Sequence, residues 1–529
     1  MSWPTGPFGP VPLTPVAHLD RAAGAFADRT AFIGEHLRYT YREMRERCER
    51  LAGALHQIGV APGEVVSVLA PNSNVALEAH FGVPLAGAVL NALNTRLSGE
   101  ELAYIVDHAG ARVLLVDHEL LHLVGPMQAA VPYMRVVVAG GADDEYERLL
   151  AGAPRTRVDV VDERALLALN YTSGTTGRPK GVMYNHRGAY LQSLAMMAQS
   201  GLHPGAVFLW TLPMFHCNGW CFPWAVTVAG ATHLELRAVE PARIWHAIRH
   251  DGVTHFNAAP TVLTMLGYGP WADEGPSERP VRVFTGGAPP SPTLLARMGE
   301  LNLDVTHLYG LTETYGPAVI CDWQEEWGVT DAAEQARLKA RQGVSNVAGL
   351  PVRVVDEHGV DVAADGATLG EVVLRGNNVM IGYFKDPDAT ANASIDGWFR
   401  TGDVGVMHPN GYIELRDRAK DVIISGGENI ASIEVEQALA SHPSVLECAV
   451  VSAPDDRWGE VPVAFVTLRP DATASEEELI DHVRSRLARF KAPKRVVFRQ
   501  LPKTGTGKIQ KFVLRDGLWG DRHDRIGTL

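Results

Sequence analysis

The residues with the clearest chemical potential form one segment, YTSGTTGRPKG, at positions 171–181. It combines serine and threonine hydroxyls, three glycines and two cations. Glycine lets a backbone approach a ligand closely, and successive N–H groups, hydroxyls and a lysine form a concave anion site. The spacing is not that of the Walker loop, because no Gly-Lys-Ser/Thr ends it. The segment therefore predicts a polyphosphate-binding loop, and a flexible polar loop is the simpler alternative.

Two further segments place carboxylates among small and aromatic residues. Residues 309–314 read YGLTET, in which Glu313 can supply a carboxylate to a hard cation such as Mg²⁺ and Thr312 a hydroxyl to phosphate. Alone, Glu313 could instead pair with an arginine. In residues 398–403, WFRTGD, the carboxylate of Asp403 can accept both hydroxyls of a ribose. The alternative is an aspartate in a turn after Gly402.

Two charged segments lie near the C-terminus. Residues 418–429 run from a charged cluster into a pair of glycines, and residues 501–509 place Lys508 on a glycine-rich tip. By themselves, these patterns equally suit a solvated turn and an exposed lysine. After Arg416 the character of the chain changes, and about 110 residues can form a small domain. We therefore expect a domain boundary near Lys420, acting as a hinge.

The elements that must position these residues alternate between strand and helix. Buried strands are predicted at 65–70, 112–117 and 135–139, with amphipathic helices at 43–58 and 99–108. This alternation predicts α/β layers with largely parallel sheets. A strand at 281–285 is followed by a strand-to-helix turn at 286–288, and residues 309–314 follow a strand at 305–308. Such strand ends commonly bind ligands in open α/β sheets.

Bulk properties exclude several classes of protein. The chain has 529 residues, 46% of them hydrophobic and 21% charged, which predicts a globular protein of several domains. A net charge of −13 without a basic run argues against nucleic acid as a partner. Five scattered cysteines favour a reduced, cytoplasmic setting and no zinc site. The sequence also predicts no signal peptide and no membrane span.

The motifs together resemble the adenylate-forming enzymes, which include acyl-CoA synthetases, luciferases and peptide-synthetase adenylation domains. The resemblance follows the family's motif order along nearly the whole chain and is greatest with short- and medium-chain acyl-CoA synthetases. It implies a large N-terminal multi-subdomain α/β domain at 1–419 and a small mobile α+β C-terminal domain at 420–529. It also implies ATP, Mg²⁺ and coenzyme A as ligands.

The resemblance assigns roles residue by residue. The implied catalytic residues are Lys508, Glu313, Thr172 and His216, with Thr172 and Glu313 also associated with the metal. The implied ATP and AMP contacts are Thr172, Ser173, Gly174, Thr175, Thr176, Gly177, Lys180, Gly287, Ala288, His307, Tyr309, Gly310, Thr312, Asp403, Arg418 and Lys420. The implied coenzyme A contacts are Ser425, Gly426, Gly427 and Glu428. The implied acyl pocket comprises His216, Asn218, Gly219, Trp220, Gly286, Gly287, Tyr315 and Gly316, and the hinge is Lys420.

The expected reaction joins a carboxylic acid to coenzyme A through a bound acyl-adenylate, as in fatty acid metabolism. Residues 209–224 contain no Asp or Glu to pair a substrate ammonium, which disfavours an amino acid and favours an uncharged aliphatic or aryl acid. Three alternatives stay open: an enzyme of one half-reaction only, a non-CoA acceptor, and a non-catalytic AMP- or CoA-binding regulator. The oligomeric state is also open, with a homodimer among the choices.

Overall fold

A computed structural model describes residues 11–172, 178–418, 421–425, 428–455, 458–503 and 508–520. Across these ranges the chain forms an α/β fold with a large N-terminal domain and a smaller C-terminal one. The described strands assemble into four sheets. No helix among the described residues is both long and apolar enough to span a membrane.

The first sheet has six strands, five of them parallel, and its last strand folds back antiparallel. In spatial order they are Arg135–Ala139, Ala111–Asp117, Val65–Leu69, Val89–Ala92, Leu166–Tyr171 and Gly181–Asn185. The strands predicted at 65–70, 112–117 and 135–139 are confirmed within one residue at each end. They are continuous apolar runs because helices cover a parallel sheet on both faces.

The second sheet has nine strands and is parallel through its centre. In spatial order they are Val344–Ser345, Gly316–Ile320, Leu303–Leu311, Val281–Thr285, His255–Ala258, Val207–Leu209, Thr232–Leu234, Thr30–Ile33 and Arg38–Thr40. The strand predicted at 305–308 is longer, because Gly316–Ile320 folds back and pairs with its end. Residues 309–311 therefore lie in the strand and do not follow it.

The third sheet is antiparallel and completes the large domain. Its strands are Arg353–Val355, Gly370–Leu374, Trp398–Met407, Ser394–Ile395 and Ile413–Arg418. The fourth sheet forms the small domain with the strands Glu428–Ile430, Ile423–Ser425, Gly459–Leu468, Val445–Asp455 and Arg495–Phe498.

The helices of the large domain pack on these sheets, and capping boxes begin two of them, Tyr41–Gln57 at Thr40 and Gly99–Ala109 at Ser98. The other described α-helices of this domain are Val16–Ala25, Asn74–Leu85, Val124–Ala130, Glu145–Gly152, His186–Ser200, Cys217–Trp220, Phe222–Ala229, Pro241–His250, Pro260–Tyr268, Pro292–Glu300, Ala332–Lys339 and Pro387–Asn392. Its described 3₁₀ helices are His118–Leu123, Pro270–Glu274, Thr312–Thr314 and Glu325–Val329.

The small domain has its own apolar core between its sheet and the helices Ser432–Ala440 and Glu476–Arg484. A third helix, Lys511–Trp519, packs on the strand Val445–Asp455 from the other face. A 3₁₀ turn at Arg489–Lys491 leads into the last strand. The boundary expected near Lys420 lies outside the described residues, between the last strand of the third sheet and Asp421.

Candidate active site

The predicted phosphate loop connects two antiparallel strands. Thr172 lies just after the strand Leu166–Tyr171, and its N–H donates to the carbonyl of Lys180, 3.0 Å away. The strand Gly181–Asn185 then returns beside it. Ser173, Gly174, Thr175, Thr176 and Gly177 lie outside the described residues. The base of the loop is therefore a hairpin, which presents Lys180 and Thr172 at the end of the first sheet.

Tyr383 contacts two of the predicted site residues, although the sequence did not indicate it as a site residue. Its hydroxyl donates to Oε1 of Glu313 at 2.8 Å, and Nζ of Lys180 lies 4.8 Å from the centroid of its ring. Burial raises the pKa of the Tyr383 hydroxyl, and the Glu313 carboxylate raises it further. The phosphate-loop lysine and the candidate metal ligand thus share one aromatic neighbour. Among the described residues, no arginine forms an ion pair with Glu313, which was the alternative for this residue.

The candidate adenine and ribose contacts are also brought together. The hydroxyl of Tyr309 donates to Oδ2 of Asp403 at 2.7 Å, and both residues are buried. Asp403 lies within the strand Trp398–Met407, opposite Arg418 on the neighbouring strand. The alternative of a turn aspartate is therefore wrong, because Asp403 is paired within a strand and its side chain bonds to Tyr309.

His307, on the same strand as Tyr309, makes its described hydrogen bonds to backbone. Its Nδ1 lies 2.9 and 3.0 Å from the carbonyl oxygens of Ala340 and Arg341. Burial lowers the pKa of His307 to about 4, so the neutral ring donates to these carbonyls. These bonds hold the side chain of His307 against the segment 340–341, two residues before Tyr309 on the same strand.

Two glycines make room for the indole of Trp220. A Cβ on Gly286 would lie 3.1 Å from Cη2 of Trp220, and a Cβ on Gly316 would lie 3.0 Å from its Cα. Trp220 is buried, and so are its neighbours Asn218 and Gly219. The predicted acyl-pocket residues from three separate segments therefore meet around one indole ring.

Tyr315 differs from the prediction, because its side chain packs in the hydrophobic core. Its ring stacks on Tyr184 with centroids 3.8 Å apart, and its hydroxyl accepts from the N–H of Asn185 at 2.6 Å. The family resemblance placed it in the pocket together with Gly316. Its backbone φ of +58° turns its side chain away from that neighbour.

The segment that carries the pocket wall has an unusual backbone. Residues 217–221 all have positive φ, from 49° to 64°, and only Gly219 among them is a glycine. Each L-residue in this region is strained, and such strain persists only where the surroundings over-determine it. Asn170 provides one such contact, because its Nδ2 donates to Oδ1 of Asn218 at 2.6 Å. Local sequence patterns do not reveal this turn.

His216 immediately precedes the strained segment and has an ordinary backbone conformation, with φ −82°. Burial lowers the pKa of His216 to about 4, and the nearby cations Lys508 and Arg96 lower it further. Residues 504–507, which precede Lys508, lie outside the described residues. Lys508 belongs to the small domain, so its effect on the pKa of His216 indicates that the two domains bring these candidate catalytic residues near each other.

Asn72 is a second residue that sequence reasoning missed. Its Nδ2 donates to the carbonyls of Trp210 and Leu212 at 2.6 and 3.0 Å, and its Oδ1 accepts from the N–H of Met214 at 2.7 Å. These bonds tie the loop after the strand Val65–Leu69 to the segment that leads into His216. The only sequence signal is an asparagine after a buried strand.

The remaining predicted residues lie around these pairs. Gly287 is exposed at φ +87° beside Ala288, and a Cβ on Gly310 would lie 1.9 Å from the carbonyl oxygen of Gly316. The Sγ of Cys217 lies 3.5 Å from Oγ1 of Thr312. In the small domain, Ser425 pairs with Glu428 on the neighbouring antiparallel strand. Gly426, Gly427 and Lys420 lie outside the described residues, as does the side chain of Arg418.

Comparison with known sequences identifies two matching families. Residues 19–384 match the AMP-binding enzymes, and residues 434–508 match the AMP-binding enzyme C-terminal domain. The 2-methylpropanoate–CoA ligase CCL4 of Humulus lupulus is 45% identical over 529 residues, covering 96% of this chain and 95% of that protein. The peroxisomal acetate/butyrate–CoA ligase AAE7 of Arabidopsis thaliana is 43% identical over 534 residues, covering 95% and 94%.

Comparison with solved structures gives the same result. The crystal structure of ATP-bound MatB from Rhodopseudomonas palustris superimposes with a TM-score of 0.84 at 26% sequence identity. The match covers 96% of this chain and 100% of that one. It therefore extends over both domains.

Proposed function

Because this chain belongs to the AMP-binding enzymes, we propose that it is an ATP-dependent carboxylate–CoA ligase. In the first step a carboxylate oxygen of the acid bonds to the α-phosphorus of ATP, and pyrophosphate leaves with the electrons of the broken P–O bond. In the second step the thiol of coenzyme A loses its proton and attacks the acyl carbon, and AMP leaves. The observation that carries the proposal is that Tyr383 holds Glu313 and Lys180 together at the base of the phosphate loop, while Tyr309 bonds to Asp403.

Lys508 is the proposed catalytic cation of the first step. The carboxylate and the α-phosphate are both anions, so their approach is opposed by charge repulsion. A positioned cation that contacts both lowers this repulsion and stabilises the charge of the transition state. His216 is held neutral by burial, so the positive charge near it comes from Lys508 and Arg96, of which Lys508 belongs to the small domain.

The chain's own groups fit a magnesium ion beside the phosphates. Glu313 is an oxygen ligand whose Oε1 is oriented by the Tyr383 hydroxyl, and Thr172 adds a hydroxyl at the base of the phosphate loop. Hard cations prefer such oxygen donors together with phosphate. Bound there, Mg²⁺ would neutralise phosphate charge. Tyr383 orients Glu313, and Lys180 contributes a further positive charge.

Asp403 and Tyr309 are the proposed nucleoside contacts. Asp403 accepts the ribose hydroxyls, and Tyr309 contributes its ring to the adenine while its hydroxyl orients Asp403. His307 supports this strand from behind. The glycine turn at 286–288 lets the nucleotide approach the backbone closely.

The proposed acid is uncharged and short, aliphatic or aryl. Trp220 fills the space between Gly286 and Gly316, which leaves little depth for a long chain. The segment around it carries no acidic side chain. Two similar plant enzymes are named for acids of two to four carbons, in agreement with a shallow pocket.

The two steps are proposed to use two orientations of the small domain, which turns about Lys420. After the first step Lys508 leaves, and the turn at 425–428 approaches the adenylate, with Gly426 and Gly427 lining the channel for the pantetheine arm. Side chains at these two positions would narrow the channel. A mixed anhydride held away from water until the thiol arrives suits such a division.

A reduced compartment, the cytoplasm, is proposed as the location, because all five cysteines are free thiols and four of them are buried. One similar enzyme is named as peroxisomal, so a fluorescent fusion with a peroxisomal marker is the test. A homodimer is the proposed assembly to test by light scattering.

The test of function is mass spectrometry of a reaction with ATP, Mg²⁺, coenzyme A and a pool of C2–C16 and aryl acids, following acyl-AMP and acyl-CoA separately. Both products from one short acid are expected. Acyl-AMP without thioester would favour another acceptor, and thioester only from supplied acyl-AMP would favour a one-step enzyme. Neither product under any condition would contradict the ligase proposal and favour a non-catalytic binding protein.

A further inference from the structure

A group of charged and polar side chains joins the large domain to the helix that follows Lys508. Oδ2 of Asp417 accepts from the N–H of Ser432 at 2.6 Å. Nζ of Lys511 donates to Oγ of Ser432 at 2.6 Å and pairs with Oε1 of Glu436 at 2.7 Å. We call Asp417, Ser432, Glu436 and Lys511 the interdomain cluster.

The cluster spans the proposed hinge. Asp417 belongs to the strand Ile413–Arg418, which pairs with the Asp403 strand of the large domain. Ser432 and Glu436 lie on the helix Ser432–Ala440, and Lys511 begins the helix Lys511–Trp519 of the small domain. A rotation about Lys420 would therefore move three members of the cluster away from Asp417.

Lys511 also anchors the hairpin that carries Lys508. The two legs of this hairpin are held by a bridge between Lys503 and Ile509 and by the N–H of Gln510, which donates to the carbonyl of Pro502 at 2.8 Å. Lys511 is the next residue along. Its bonds to Ser432 and Glu436 attach that leg to the helix beside Asp417.

The cluster is largely withdrawn from water. Asp417 and Ser432 are buried, and burial raises the pKa of the Asp417 carboxyl, which Lys511 and the Ser432 N–H partly offset. Burial disfavours the charged form of Lys511, but the nearby carboxylates of Glu436 and Asp417 favour that form more strongly. The pKa of the lysine is therefore raised. Removing one partner from such a group leaves an uncompensated charge, which is strongly unfavourable.

We propose that Lys511 is a positioning residue for acyl-adenylate formation, holding the Lys508 hairpin and the small domain in the orientation in which Lys508 faces His216. This inference rests on the proposed ligase function. Because Asp417 and Ser432 separate when the domain turns, the cluster serves the first half-reaction and not the second. A residue that merely stabilised the fold would affect both.

The test compares Lys511→Met with Lys491→Met. Lys491 pairs with Glu434 on the same helix at 2.7 Å, with side-chain exposures of 24% and 27%, against 19% and 18% for Lys511 and Glu436. Adenylation is measured as acid-dependent pyrophosphate release, and thioesterification as coenzyme A-dependent consumption of supplied acyl-AMP. Lys511→Met should lower kcat for adenylation by about 10- to 100-fold and change thioesterification by less than about twofold.

Two further variants keep the test decisive. Lys511→Arg preserves the charge and should recover most of the adenylation rate. Asp417→Asn keeps an acceptor for the Ser432 N–H but removes the charge beside Lys511, so it should reproduce the selective loss. Lys491→Met should leave both half-reactions within about twofold of the wild type. Equal loss of both half-reactions in Lys511→Met, or an unchanged adenylation rate, would overturn the proposal.

A readout without turnover separates this inference from the proposed function. Trypsin can cut between the domains at Arg416, Arg418 and Lys420, and weakening the cluster should expose these bonds. Lys511→Met should be cut there several-fold faster than the wild type and Lys491→Met. If the wild type makes no acyl-AMP from any acid, the ligase proposal fails, while equal cutting rates in the three proteins would refute the cluster's role.

Discussion

At the scale of the residue, the candidate site depends on where positive charge is placed. His216 is kept neutral by burial, with a pKa of about 4, while Lys508 approaches it as an exposed cation. Lys180 lies against the ring of Tyr383, which in turn orients Glu313. These positive groups thus lie beside the proposed binding site of the acid and the polyphosphate, which are both negatively charged.

Replacing the proposed catalytic cation tests this arrangement. Lys508→Ala should lower acyl-adenylate formation by at least about 100-fold, because the transition-state charge loses its mobile partner. ATP affinity, measured by calorimetry, should change by less than about twofold, since other groups hold the nucleotide. Lys503→Ala is the control, because that lysine lies on the same hairpin but pairs with Glu447. Unchanged adenylation in Lys508→Ala would show that the role belongs to another group.

Asn72 offers a second test at this scale. Asn72→Ala removes three hydrogen bonds that hold residues 210–214 ahead of His216. We expect KM for the acid to rise by about 10-fold while KM for ATP stays within about twofold, since a hydrogen bond to buried backbone contributes about 1 kcal/mol. Asn91→Ala is the control, because Asn91 is buried in the same sheet and bonds to Ser67. A parallel rise of both constants would indicate general destabilisation.

At the scale of the element, the pocket wall is a strained turn placed between two glycine-containing segments. Residues 217–221 have positive φ, and the hydrogen bond from Asn170 to Asn218 is one of the contacts that hold them in this conformation. This turn directs Trp220 between Gly286 and Gly316. In the proposed acyl pocket, one indole and two positions that lack a side chain would therefore set the depth.

Trp220→Ala should deepen the pocket. We expect the preferred acid to lengthen by several carbons and kcat/KM for the original short acid to fall by about 10-fold, because the cavity left by the indole removes packing against it. Rates are measured with a homologous series from C2 to C12. Trp323→Ala is the control, because that tryptophan is partly exposed and packs edge-to-face on Trp327. An unchanged chain-length profile would exclude Trp220 from the pocket.

At the scale of the whole molecule, buried neutral histidines link stability to pH. Seven of them have pKa values lowered by burial to about 3 or 4: His18, His80, His186, His216, His233, His255 and His307. In the unfolded chain these rings take up protons below the ordinary histidine pKa of 6.5, whereas in the folded chain they do so only near pH 3 to 4. The free energy of unfolding therefore falls as the pH falls through this window.

His18→Gln isolates one of these steps. The pKa of His18 is lowered to about 3, chiefly by burial, so the wild type loses the contribution of this residue between pH 6.5 and 3. Between pH 6 and pH 5, the slope of the free energy of unfolding against pH should be smaller in the variant than in the wild type, by about 1 kcal/mol per pH unit. Urea unfolding at several pH values measures the slope. His358→Gln, at an exposed histidine, should match the wild-type slope, and equal slopes in all three proteins would contradict the assignment.

The sequence by itself determined the local features of this protein. Apolar runs predicted the parallel strands at 65–70, 112–117 and 135–139, and amphipathic patterns predicted the helices at 43–58 and 99–108, because hydrophobic period depends on neighbours in the chain. The motif order likewise predicted the family and the two-domain fold, which the comparisons confirm. The assigned roles of the site residues stay predictions.

Only the tertiary structure decided which side chains meet. Tyr383 beside Glu313, the Asn72 tether, and Asp403 beside Tyr309 each join residues from separate segments. No local pattern encodes such a pair, because it depends on which strands become neighbours. Tyr315 is the clearest case, since one positive φ turned a predicted pocket residue into the core. The orientation of Lys508 towards His216 likewise depends on how two separately folded domains pack together.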